Sequence, residues 1–376
     1  MQISRQKYSC LYNIKMKYYF AAFLLLLHIL IAPWSIFALV DEHTTLMDAV
    51  VTTVKTVPRE SKQMTGDKVI RFRIVSGTFK GKEFSSTVDI SRASFGGYLP
   101  GDQVIVSYSK DPTGRETVYV VDYNRKQQLL ILFFLFLAFV FIIGRWKGIS
   151  SFIGMIFSFV IIGRFIIPNI LLGNDPVLIS LLGAIFIIPV TFYLSHGINR
   201  KTTIAVVGTF LALVLTGVLA FVFIEFARLT GFAAEEAAYL DAMKGTAINI
   251  KNILLAGIII GALGVLDDIT ISQTSIVAEI HNANAKYSFK QLYNSAMSVG
   301  RDHIASLVNT LVLVYVGASL PLFLLFYNTK FSYTQVISQE IIATEIIRTL
   351  VSSIGIIAAV PITTLLACIY TKKGKS

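Results

Sequence analysis

Residues 256–279 read AGIIIGALGVLDDITISQTSIVAE, an apolar stretch with two adjacent acids, Asp267 and Asp268, in its middle. Taken as a helix, it sets Gly257, Gly261, Gly264, Asp268, Ser272, Ser275 and Glu279 at steps of three or four. Small and polar groups then share one stripe, while Ile258, Ile259, Leu263 and Ile269 lie off it. A stripe of that composition is expected to face protein or water, not lipid. An acid at the centre of a membrane helix costs about 2.5 to 3.5 kcal/mol on insertion scales. Both acids stand roughly midway between Lys251 and His281, the polar borders of the stretch. Carboxyl groups kept at such a depth point to a use for them.

The rest of the chain has the same character. With 376 residues, 55% of them hydrophobic and only 15% charged, and a mean hydropathy of +0.69, it is expected to be a polytopic membrane protein. The net charge of +11 does not indicate a nucleic-acid partner, because the basic residues fall in short clusters between apolar runs, as in cytoplasmic loops. Cys10 and Cys368 have no metal-ligand spacing and imply no disulfide framework.

Residues 1–40 form a basic leader followed by the apolar run Tyr18 to Val40, a signal peptide or a retained N-terminal anchor. Residues 41–126 alternate and are β-branched, with runs at 50–57, 69–75, 83–90, 103–108 and 117–122 between turns such as GGYLPGD and DPTG. They are expected to form a small extracytoplasmic all-β domain, an OB-like barrel or a sandwich. From 127 to 376 the apolar runs at 128–144, 149–172, 177–195, 202–227, 252–280, 303–326 and 341–370 predict seven spans, eight with the first run retained. Arg145/Lys147, Arg200/Lys201, Lys286/Lys290/Arg301 and Lys372/Lys373/Lys375 fall on one side together with the leader, so both termini are expected in the cytoplasm. Ser288 is placed as the N-cap of a short surface helix, and Glu225/Arg228 and Glu345/Arg348 as i to i+3 pairs.

Several of these stretches carry a resemblance. GALGVLDDITISQTSIVAEIHNAN (261–284) and VGRDHIASLVNTLVLVYVGASLPLFLLF (299–326), with GRWKG at 144–148 and HGINRKT at 196–202, resemble the core of the YibE/F-like family of bacterial multi-pass membrane proteins. The similarity runs from about Asp41 to Phe326. It implies a membrane architecture and brings no substrate with it.

The chemistry is therefore read from positions in this chain. In GRDHIASLVNT, Asp302, Ser306, Asn309 and Leu313 share a helical row beside that of His303. Packed against residues 257–279, this helix is expected to bring Asp267, Asp268, Ser272, Asn309 and His303 around one cavity suited to a cation or a proton relay. Similar numbers of residues from the helix borders put Arg164 at a comparable depth, as a charge partner for the acids. The metal, if any, is undefined, and no cofactor is expected. With no phosphate-cradling glycine loop, the leading function is a secondary transporter or channel-like permease for a small solute or cation. The alternative is a non-transporting scaffold or sensor whose β domain binds an envelope component. Neither is an enzyme; an intramembrane aspartyl protease is disfavoured because Asp302 lies near the border. The expected partners are the lipid bilayer and a second YibE/F-like or other membrane subunit.

Overall fold

The computed structural model describes residues 44–57, 67–88, 97–110, 116–233, 235–243, 249–327 and 331–373. The leader at 1–40 and Cys10 lie outside them. The chain divides after Ile143 into two compact units.

The first unit is built on strands β1 (Thr44–Val57), β2 (Asp67–Ile74), β3 (Glu83–Val88), β4 (Gln103–Lys110) and β5 (Glu116–Tyr123), antiparallel in the order β3-β2-β1-β4-β5. A period of two puts Met47, Ala49 and Val51 on the same face as Ile70, Phe72, Ile74, Val104 and Val106, all buried. Register follows that pattern, with Ala49 opposite both Ile74 and Val104. A bulge between Val51 and Thr53 helps β1 bend, and the sheet curls until its edges β3 and β5 approach. The result is one curled sheet, a half-barrel, and not the two packed sheets of a sandwich. Asp48 accepts from Asn124 Nδ2 at 2.9 Å and Lys126 Nζ at 3.1 Å, fixing the chain as it leaves β5.

Helix α1 (Lys126–Ile161) runs across the division and breaks at Arg145, whose φ of 48° and ψ of −136° are not helical. The expected spans at 128–144 and 149–172 thus join without a loop into the stretch Lys126–Leu171, which ends in a π-helical turn, Ile162–Ile166, and α2 (Ile167–Leu171). Three helices then start on side-chain caps. Asp175 caps α3 (Pro176–His196), Asn199 caps α4 (Arg200–Phe226), and, after α5 (Glu235–Met243), Asn249 caps α6 (Ile250–Ala283). Helices α7 (Phe289–Ala318), α8 (Leu320–Tyr327), α9 (Tyr333–Ile337) and α10 (Glu340–Lys373) complete the chain.

Helix α6 is the centre of the second unit, packed by α4, α10, α3 and α7. Asn252 Nδ2 donates to Asp175 Oδ2 at 2.6 Å, so α3 and α6 start at the same end. Helix α4 runs the other way, with Lys251–Glu225 (2.9 Å) at one end of the pair and Lys201–Glu279 (3.2 Å) at the other. From Lys251 to Glu279 α6 rises about 42 Å, which matches the roughly 40–45 Å of a bilayer with its headgroups.

Among the described residues, five helical stretches are long and apolar enough to cross a membrane, and six if α7 and α8, bent by 66°, count as one. The bend falls at Ser319 because Pro321 has no N–H to continue the ladder and disfavours helical geometry before it. Two local expectations change. Ser288 does cap a helix, in a capping box with Gln291, but that helix is not a separate surface element. Leu292 and Ala296 are buried against Val277 and Ala367, so it runs on unbroken to Ala318. Glu345 pairs with Arg348 at 2.9 Å as expected, whereas Glu225 pairs with Lys251. Arg228 lies past the end of α4 in a left-handed conformation (φ 53°), off the helical face that an i to i+3 pair requires.

Candidate functional site

The orientation of α6 reverses the sequence expectation. Gly257, Gly261, Gly264, Asp268 and Glu279 are exposed, whereas Ile258, Ile259, Leu263, Leu266, Ile269, Thr270, Gln273 and Thr274 are buried. The reason is packing volume. The aliphatic face of α6 fills the space between α4 and α10, and the glycines that permit close approach sit on the neighbouring helices: Gly208 on α4, Gly300 on α7 and Gly355 on α10.

At the edge of the exposed stripe the acids meet α3. Asp267 is half-buried and Asp268 exposed, and both line a recess of about 60 Å³ with Ile271, Thr191, Phe192 and His196. That volume is on the order of two waters at roughly 30 Å³ each. His196 is the last residue of α3, held at the helix end where Gly197 (φ 76°) turns the chain towards the Asn199 cap. Two carboxyl groups, an imidazole and the Thr191 hydroxyl thus converge from two helices. The sequence showed His196 only as part of HGINRKT. Its role was missed because it stands at a helix end, off any polar stripe.

The other expected members lie elsewhere. Ser272 is half-buried one turn along α6 from Asp268. Helix α7 turns Ile304, Leu307, Leu311 and Tyr315 onto the core, which leaves Ser306, Asn309 and Thr310 exposed and His303 half-buried. The expected inward strip on α7 is its outward face, because Ile304, Leu307, Leu311 and Tyr315 are the side chains that pack on the core. Asn309 and His303 do not line the recess. Neither does Arg164, in the π-helical turn. At the level of Thr191, α1 presents Gly154, and Arg164 lies about 15 Å further along the chain axis.

A second polar feature is buried. Thr209 and Thr270 share a hydrogen bond of 2.7 Å across α4 and α6, and Gln273 Nε2 donates to Thr364 Oγ1 at 2.7 Å and the Ala296 carbonyl at 3.1 Å. Thr216, Ser352, Ser353 and Thr363 extend this seam, each below 5% exposure. A Cβ on Gly208 would stand 2.6 Å from Thr363 Oγ1, and one on Gly355 would overlap Thr216 Oγ1. The seam contains no ionisable side chain, and among the described residues no three His, Cys, Asp or Glu side chains converge as metal ligands.

No curated protein and no solved structure matches the chain. A family does, described as YibE/F-like protein, over residues 132–373. The motif resemblance extends from Asp41 to Phe326, but the matched region begins inside α1, includes none of the half-barrel and continues through α10. It contains the acid recess and the hydroxyl seam entire, and on this match over more than half of its length the chain belongs to the YibE/F-like family.

Proposed function

We propose that this chain is a multi-pass protein of the bacterial cell membrane that acts as a secondary permease for a small solute or cation, with Asp267 and Asp268 as the groups that load and release the cation or a coupled proton. The observation that carries the reading is the recess where the two carboxyl groups meet His196 and Thr191, near the middle of a 34-residue apolar helix. Two carboxylates beside an imidazole offer oxygen and nitrogen ligands to a cation, or a hand-over path to a proton. Behind the recess the seam is neutral and close-packed, which opposes leakage. An exported half-barrel and cytoplasmic termini are supported by the clustering of Arg145, Lys147, Arg200, Lys201, Lys286, Lys290 and Arg301 between apolar runs. The exposed Gly257–Gly261–Gly264 stripe leaves room for a second membrane subunit to close the recess.

The test is flux of protons and of monovalent and divalent cations into proteoliposomes holding the full chain. Asp267→Asn and Asp268→Asn are each expected to lower it by about tenfold or more at unchanged folded fraction. Native flux in both variants removes the acids from the pathway and leaves the scaffold or sensor reading.

A further inference from the structure

A second pocket with convergent polar groups, open on one side, lies far from the acids, at the end of the helical unit marked by Glu225. Here the loop after α4, the bend between α7 and α8 and the first turns of α10 surround a cavity of about 320 Å³. Its walls are held in place. Glu340 Oε1 accepts from the backbone N–H groups of Thr230 (2.7 Å) and Gly231 (2.9 Å), tying that loop to the start of α10. Gly231 (φ 89°) approaches the Ile250 carbonyl so closely that a Cβ would stand 2.8 Å from the oxygen.

Leu254, Leu322 and Ile341 give the cavity an apolar wall. Three polar residues of α10, the helix that also supplies Ile341, line it as well: Thr344, Glu345 and Arg348. Arg348 Nη1 donates to Glu345 Oε1 at 2.9 Å, and these side chains keep only 35% and 20% of their exposure. Thr344 is 3% exposed and its hydroxyl oxygen is closed off from the pocket, so the polar part of the lining is the Glu345–Arg348 pair. A guanidinium carries five N–H donors, so one bond to Glu345 leaves most of Arg348 available. The second carboxylate oxygen of Glu345 likewise remains as an acceptor.

The lining is therefore electrically neutral but strongly polarised, with an acceptor and a donor fork side by side beneath an apolar wall. A lone anion would satisfy Arg348 and leave Glu345 repelling it, and a lone cation would do the reverse. A molecule with both charges on neighbouring atoms and a short apolar body satisfies the whole set. Its ammonium meets Glu345, its carboxylate meets Arg348, and its body meets Leu254, Leu322 and Ile341. The volume is at the lower end of the roughly 300 to 1,000 Å³ typical of small-molecule sites.

We propose that this cavity binds a small zwitterion of the α-amino acid class. The site is separate from the acid recess, and its occupancy is read without any flux, so a silent recess leaves the result untouched. The experiment is equilibrium dialysis of the full chain in lipid nanodiscs against radiolabelled leucine, alanine and serine, with isocaproate and isoamylamine as analogues of leucine that each lack one charge. Saturable binding of at least one amino acid is expected. For leucine, each analogue should compete about tenfold or more weakly. Arg348→Gln and Glu345→Gln should each weaken amino acid binding by about tenfold or more. The exchange Glu345→Arg with Arg348→Glu keeps an ion pair for folding but reverses its polarity, and binding should still be lost. The proposal is overturned if none of the three amino acids binds saturably, if either analogue competes as well as leucine, or if the exchanged variant binds like the native chain.

Discussion

The half-barrel and the helical unit place their polar groups differently. In the half-barrel the interior is Met47, Val51, Ile70, Phe72, Ile74 and Val104, with Ser107 the one buried polar residue among those described, while Arg71, Arg73, Lys80 and Lys82 stand outside. In the helical unit Leu178, Ile185, Phe186, Val214, Phe221 and Ile354 face outward, and the interior holds Thr209, Thr216, Thr270, Gln273, Thr363 and Thr364. Burying apolar area from water accounts for the first arrangement. It cannot drive the second in a lipid surround, where tails are as apolar as leucine and close packing with interhelical hydrogen bonds has to hold the helices together. The two units should therefore respond differently to the same kind of substitution.

The largest effect is expected in the half-barrel. Phe72 is fully buried and stacks on Phe84 at 6.5 Å between centroids. Phe72→Ala should destabilise that unit by about 3 to 5 kcal/mol, read as faster amide exchange along β1 and β2. Exchange unchanged from native would mean that this core does not depend on the apolar area it buries. Next is Gly355→Ala, where the added methyl meets Thr216. Overpacking there should cost about 1 to 3 kcal/mol and show as a lower midpoint of thermal unfolding in detergent, with Gly257→Ala on the exposed face as a near-neutral control. Equal midpoints for the two alanine variants would sink the close-packed account of the seam. Smaller still is Gln273→Leu. It removes two hydrogen bonds but also a buried carbonyl oxygen with no partner, so the loss should stay below about 2 kcal/mol and flux should persist. That result separates the seam from the acids, whose replacement is expected to do the reverse.

The same placement decides what the sequence reveals. Alternation at Met47, Ala49 and Val51 and at Ile70, Phe72 and Ile74 marks core positions directly, because a sheet with one wet face must bury the other. Part of each of the five strands is legible that way, although β1 begins at Thr44, ahead of the expected run at 50–57, and whether the sheet curls alone or packs on another is not legible. On α6 the rule of polar inward fails. Glycine, serine and aspartate share one stripe, but Thr270, Gln273 and Thr274 lie on the other, and a threonine hydroxyl that bonds to its own helix, as Thr274 Oγ1 does to the Ile271 carbonyl at 2.9 Å, packs nearly as an aliphatic residue. The choice between the two stripes was made by glycines on α4, α7 and α10, which no reading of α6 alone contains. For the same reason Asp267 and Asp268 are conspicuous in the sequence while His196, their neighbour in space, is not.

The smallest expected effect tests the wet side of the contrast. Asp122 Oδ2 accepts from Arg125 Nη1 at 2.7 Å, and its other oxygen accepts from the Tyr123 backbone N–H, also at 2.7 Å. The Arg125 hydrogen bond first, and the Tyr123 amide second, hold this carboxyl below the ordinary aspartate range. A folded-state pKa below the unfolded value stabilises the fold above the unfolded pKa, near 3.9, and that stabilisation is lost as pH falls through the lower, folded value. Both groups are about half exposed, so salt and water screen the pair and its contribution is slight. Amide exchange at the end of β5 should therefore be a little faster in Asp122→Asn than in the native chain at neutral pH. The two should converge once acid has protonated the native carboxyl. A difference that persisted at low pH would assign the effect to the shape of the turn, and the surface of the half-barrel would then be held by its backbone, with no measurable share from its charges.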